Sequence, residues 1–170
     1  MERDAARPGL RPLLPEGYEA AFRLARRIVG ETAEAEDVAA EAFARAYRDW
    51  ARVGPLPHRR AWVLRVAANV AIDRVRQVER EARVVPLLRS VVAASGEDEV
   101  AVRQALAAAL RALPQRQREA VALLRCLGDL TLEEVAAALG TATGTVKSHL
   151  HRGVASLRRT IGTGWYGGVA

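Results

Sequence analysis

The chain has 170 residues and a formal charge of +6, enough for one domain or two small ones. Half of it is apolar and 27% is charged, so it can bury a core under an ordinary soluble surface and is not disordered overall. The one cysteine, Cys126, excludes an internal disulfide and a cysteine-based zinc site, and no apolar run approaches the ~20 residues of a membrane span.

Apolar spacing is helical nearly everywhere and no segment alternates with period two, so the expected fold is all-α, two small helical domains joined by a linker. Residues 1–15 read as a tail; MERDAARPGL lacks the apolar stretch of a signal peptide, and a cytoplasmic location is expected. A first helix is expected from Gly17 to Val29, carrying Phe22, Ala25 and Val29 and closed by Gly30. Thr32 is expected to cap a second, ending near Trp50, with Glu34, Glu36 and Asp37 at the positive end of its dipole. Gly54, Pro55 and Pro57 break the chain into a loop over 51–58. A third helix follows from Arg59 to Arg80. Within it Val63, Val66, Ala67 and Val70 form an inward stripe, and Arg65, Asn69, Ile72 and Arg76 an outer one.

Residues 81–99 contain Pro86, Ser95-Gly96 and an acidic triplet, and read as a linker. Beyond it Leu106, Leu110 and Leu113 repeat at i, i+4, i+7, the stripe of an amphipathic helix. Pro114 opens another helix, reaching Leu127. Four glycines place a flexible tail at 161–170, with Trp165 and Tyr166. Charge is uneven along this order: −4 over 31–50, +5 over 51–80, −2 over 81–100 and +5 over 101–159. An acidic block beside basic ones points to two kinds of surface.

The most specific local signal lies at 131–159. Thr131-Leu132-Glu133-Glu134 is a capping box opening a short helix through Val135, Ala136 and Leu139. Gly140 turns the chain, and a new helix begins between Thr141 and Thr145. Val146, Leu150, Gly153 and Leu157 share one of its faces, while Lys147, Ser148, His151 and Arg152 point the other way. That is the layout of a helix-turn-helix offering donors to the major groove. An ordinary helical hairpin with a solvated outer face shares the pattern.

The strings narrow the choice. Leu113-Pro114-Gln115-Arg116-Gln117-Arg118-Glu119, then Leu130 to Ala136, then Gly144 to Arg152, closely resemble region four of bacterial sigma-70-type initiation factors, most of all the small extracytoplasmic-function group. The resemblance implies that Lys147, Ser148, His151 and Arg152 face the groove of the minus-thirty-five promoter element. It makes Arg125 a DNA contact from the preceding helix, with Arg118, seven residues earlier on the same stripe, beside it at phosphates. Ala142 departs from the serine common in that family, so the expected cap of this helix falls to Thr141 or Thr143.

Residues 16–80 resemble region two. Ala35 to Phe43 is similar to the helix that binds core polymerase, and Glu34, Asp37 and Glu41 line one stripe of it. Arg60 to Arg76 resembles the promoter-melting helix at the minus-ten element, where Arg60, Arg65 and Arg76 would follow phosphates, Asn69 would read a base edge, and Trp62 would stack a base or join the core. The resemblance covers about 16–80 and 100–160. It implies core RNA polymerase and promoter DNA as partners, an anti-sigma protein as a common inhibitor, and no membrane insertion. Without it, the acidic stripe reads as a solvated face.

Other readings are a stand-alone helix-turn-helix regulator, an enzyme, and a helical adaptor. No Gly-rich phosphate loop, HExxH pair or Ser/His/Asp set is present, so no enzymatic activity, cofactor or metal is expected. His149 and His151, two residues apart, do not share a helix face.

Overall fold

The computed structural model describes residues 10–84, 97–127 and 129–161. Residues 1–9 and 162–170 of the two expected tails, and 85–96 of the expected linker, lie outside the described residues. All regular elements described are helices.

Helix α1, Leu10–Val29, starts seven residues before the expected Gly17, with Pro15 inside it. Leu13 packs against the core, and this tertiary contact carries the helix through the proline's missing N–H. Its buried face is Ala20, Ala21, Leu24, Ala25 and Ile28; Phe22 and Val29 lie at its margins. Gly30, at φ 84°, then leaves the helix through the left-handed region. Helix α2, Thr32–Arg48, is capped by Glu31 rather than Thr32, the Glu31 carboxylate accepting from the Ala33 and Glu34 amides at 3.2 and 3.1 Å. Ala35, Val38, Ala39, Ala42, Phe43 and Ala46 make its core face. The expected loop holds a helical turn, α3, Trp50–Val53, whose Trp50 and Val53 are buried.

Helix α4, Arg59–Val84, departs most from the expected single stripe. Ala61 to Leu64, Ala67, Ala68 and Val70 to Ile72 are all buried, too many for one face. The cause is that α4 is packed on two sides. Helices α1 and α2 cover one, and the helices of the C-terminal half cover another. Ile72, expected on the outer stripe, is therefore core, and Val66, expected inside, is half-buried.

Helix α5, Glu97–Ala112, buries Leu106 and Leu110, and Leu113 just beyond it. Helix α6, Gln115–Val121, runs into a π-helical stretch, Ala122–Leu127. The capping box at Thr131 is formed in both directions, 3.2 Å from the Glu134 amide to the hydroxyl and 2.8 Å from the Thr131 amide to the carboxylate. It opens α7, Leu132–Leu139, which ends at Gly140 with φ 64°. Helix α8, Thr143–Ile161, follows. Its first i+4 hydrogen bond runs from Val146 to the Ala142 carbonyl, so alanine rather than either threonine occupies the cap position. Apolar residues from both halves form one continuous core, with α4 as the shared wall.

Candidate nucleic-acid and polymerase interfaces

The exposed side of α8 carries Lys147, Ser148, His151 and Arg152 together, as the sequence predicts. Val146, Gly153 and Leu157 are buried on the opposite side, with Leu150 half-buried. Ser148 Oγ donates to the Gly144 carbonyl at 3.1 Å and Arg152 Nε to the Ser148 carbonyl at 3.2 Å. The Arg152 side chain is thus tied back to the preceding turn of its own helix. His149 lies between the faces, half-buried.

Arg118 and Arg125 do not share an environment. Arg118 is half-buried with Nε enclosed, whereas Arg125 is exposed. The seven-residue spacing aligns two side chains on an α-helix only, and the π-helical stretch beginning at Ala122 changes the rotation between them.

On α2, Asp37 is exposed, and Glu34 and Glu41 are half-buried. Glu41 accepts from Arg45 Nε at 2.7 Å, and this hydrogen bond, with the surrounding arginines, holds its carboxyl below the usual range. It faces a cleft of about 710 Å³ between the α2–α3 corner, α4 and the C-terminal end of α7. Arg45, Arg48, Arg52 and Arg65 line that cleft, with Trp62 among them. Trp62 is buried, and the Arg52 guanidinium lies 5.8 Å from its ring centroid. Trp50 is also core.

The face of α4 expected to meet the minus-ten element is divided. Arg76 is exposed. Arg65 and Asn69 are turned onto a residue that sequence reasoning passed over, Glu119 of α6. Its side chain has no exposed surface. Oε1 accepts from Arg65 Nε at 3.0 Å, Asn69 Nδ2 at 3.2 Å and Gln115 Nε2 at 3.2 Å, and Oε2 from Arg116 Nη1 at 3.5 Å. Burial pushes the Glu119 carboxyl up, but the hydrogen bond and charge of Arg65, helped by Asn69 and Gln115, hold it below its ordinary value of 4.5. Arg65 Nη1 also donates to the Ala138 carbonyl, and Arg116 Nη1 to that of Leu139, each at 3.0 Å. Arg60 Nη2 meets Asp129 Oδ2 at 2.6 Å, and Arg23 reaches the same oxygen at 3.4 Å. The available signal for Glu119 was its place on a stripe with Leu123 and Cys126, both buried, where an acid needs partners.

Two family descriptions match the sequence. Sigma-70 region 2 covers residues 17–81, and Sigma-70, region 4 covers 103–157. The RNA polymerase sigma-E factor of Streptomyces coelicolor is 34% identical over 143 residues, 84% of this chain and 80% of that protein. The ECF RNA polymerase sigma factor SigW of Bacillus subtilis is 31% identical over 154 residues, 82% of each chain. Two solved structures share the fold. CnrH in complex with the cytosolic domain of CnrY has a TM-score of 0.58 at 22% identity, covering 94% of both chains. RpoE with the anti-sigma factor NepR from Bartonella quintana has a TM-score of 0.54 at 23%, covering 91% of this chain and 97% of that one. With both regions matched in order and relatives alike over most of their length, the chain belongs to the extracytoplasmic-function group of the sigma-70 family, non-enzymatic initiation factors that direct RNA polymerase to promoters.

Proposed function

We propose that three surfaces divide this work. Lys147, Ser148, His151 and Arg152 on α8 read the minus-thirty-five element in the major groove, with Arg118 and Arg125 at the flanking backbone. Arg60, Trp62, Arg65, Asn69 and Arg76 on α4 serve the minus-ten element, the arginines along phosphates and Asn69 at a base. Glu34, Asp37 and Glu41 on α2 bind core polymerase. Residues 16–80 and 100–160 act as the two functional units, with 81–99 as their link and the segments at 1–15 and 161–170 outside them.

The observation that carries this reading is the grouping of four polar side chains on the open face of a helix that follows a capped helix and a left-handed glycine turn. A recognition helix needs that face free, and its opposite face is committed to the core. The absence among described residues of a helix long and apolar enough to cross a membrane agrees with action in the cytoplasm. An anti-sigma protein is the expected inhibitory partner, since both solved relatives are recorded in complexes and one of those partners is named an anti-sigma factor.

Run-off transcription with core RNA polymerase on a genomic promoter library tests the reading. Core-dependent initiation at a sequence-related promoter set is expected. A chain that bound duplex promoters without core polymerase and started no transcript would be a stand-alone regulator instead.

A further inference from the structure

We propose that Arg116 of α6 is a positioning residue for base reading: its guanidinium, set against the buried Glu119, clamps the last carbonyl of α7 and so fixes the direction of α8 relative to α6. The inference rests on the reading of α8 as the minus-thirty-five helix.

A helix ends with four carbonyls that lack intrahelical partners. At the end of α7 they belong to Ala136, Ala137, Ala138 and Leu139. The glycine turn supplies two donors of its own, Thr141 N to the Ala136 carbonyl at 3.0 Å and Gly140 N to that of Ala137 at 3.2 Å. Ala138 and Leu139 are left. Arg65 takes the first and Arg116 the second, each at 3.0 Å. Arg65 belongs to α4, whereas Arg116 stands on α6, so its clamp is internal to the C-terminal half. A cation also suits the negative end of the α7 dipole.

The turn needs this outside support. Ala142, at the cap position of α8, has no side-chain oxygen to offer the free amides of the first turn. A Cβ on Gly140 would meet nothing within 4 Å, so no close packing holds the turn at that residue. Arg116 is itself fixed, because its Nη1 lies 3.5 Å from Oε2 of Glu119, whose side chain has no exposed surface. Helix α6 therefore holds α8 at two places. One is the close contact of Val121 with Gly153; the other acts through the Leu139 carbonyl on the turn where α8 begins. With the first alone, α8 has a pivot at Gly153. Lys147 and Ser148, a turn or more from that pivot, would swing most. Donors that read bases must be held to within about 0.5 Å, so a small swing costs selectivity.

The test uses holoenzyme, the full chain with core RNA polymerase, and a promoter from the run-off set. It competes against the same promoter with its minus-thirty-five element shuffled. Arg116→Met keeps the stem and removes the donors. It should lower the preference for the intact promoter at least about fivefold, the worth of a weak base contact. The salt slope should stay as in the wild type, since no phosphate contact is lost. Arg116→Lys, which can still donate to the Leu139 carbonyl, should recover most of the preference. In the free chain, the amides of Thr145 and Val146 should exchange roughly tenfold faster in Arg116→Met, with the amide of Leu157 unchanged.

Full preference in Arg116→Met overturns the proposal. So does a loss that affects intact and shuffled promoters alike and lowers the salt slope by about one unit, which would make Arg116 a phosphate contact. Failure of Arg116→Lys to recover also overturns it. If Arg116→Met lost helicity, Arg116→Gln, with a side chain too short to reach the carbonyl, would decide by the same ratio. Failure of the promoter reading is distinguishable, because wild-type holoenzyme would then show no preference for the intact element.

Discussion

Gly153 of α8 lies against Val121 of α6 so closely that a Cβ added to it would stand 2.7 Å from Val121 Cγ2 and 3.3 Å from the Gln117 carbonyl oxygen. Valine is stiff at χ1 and the carbonyl belongs to the helix backbone, so neither yields easily. Gly153→Ala should gain about 1 kcal/mol of helix propensity and lose more, about 1–3 kcal/mol, to overpacking. The net expectation is a lower midpoint in thermal unfolding. Adding Val121→Ala should make Gly153→Ala less harmful than it is alone. Equal effects in both backgrounds would remove Val121 as the cause.

Glu119 makes stability depend on acid. Its carboxyl is lowered in the folded state, where it faces Arg65, Asn69, Gln115 and Arg116. A lowered folded value means a contribution fully present above the unfolded value, ordinarily 4.5, and lost as pH falls through the folded one. The urea midpoint of the wild type should exceed that of Glu119→Gln near neutrality. The gap should narrow below about pH 4.5 as wild-type Glu119 takes up a proton. A gap constant from about pH 7 to about pH 3 would show that the carboxylate is not the stabilised form.

Much of this was legible in the sequence, and most of the failures trace to tertiary packing. The capping box at Thr131, the turn at Gly140 and the two faces of α8 are local matters, set by propensity, a special φ and a period of 3.6. Ile72 and Asn69 were assigned from the same period and met different outcomes, because α4 is covered on two sides and periodicity sees only one. The early start of α1 depends on Leu13 reaching the core, which proline at position 15 argues against locally. The Glu119 cluster joins residues 50 and 54 positions apart, beyond the reach of any window. The separation of Arg118 from Arg125 turned on a π-helical stretch that no propensity announced.

The acids of α2 should not contribute equally to polymerase binding. Asp37 is exposed, while Glu41 is held by Arg45 at 2.7 Å and faces the cleft. A basic partner reaching Glu41 must first compete with Arg45. Asp37→Ala should therefore weaken binding to core polymerase more than Glu41→Ala does, with helicity intact in both, since alanine favours helix. Affinity measured with purified core enzyme checks this. Equal losses would mean that the Arg45 pair opens on binding, and no loss in either would return the stripe to a solvated face.

Reading and positioning should separate between α8 and the π-helical stretch before it. Arg152 is exposed on the open face of α8, with Nε held by the Ser148 carbonyl. Arg125 is exposed too, but projects from the supporting element, where the proposed contact is to a phosphate. Loss of a base contact costs about 1–3 kcal/mol and relaxes preference at that base. Loss of a phosphate contact weakens all sequences alike and lowers the salt slope by about one unit. Arg152→Ala should flatten discrimination at one or two minus-thirty-five positions, and Arg125→Ala should leave the ranking of promoters unchanged while reducing every affinity. Holoenzyme competition across single-base promoter variants, repeated at several salt concentrations, reads both effects. An Arg152→Ala variant that kept the ranking and changed only the salt slope would put α8 along the backbone instead of in the groove.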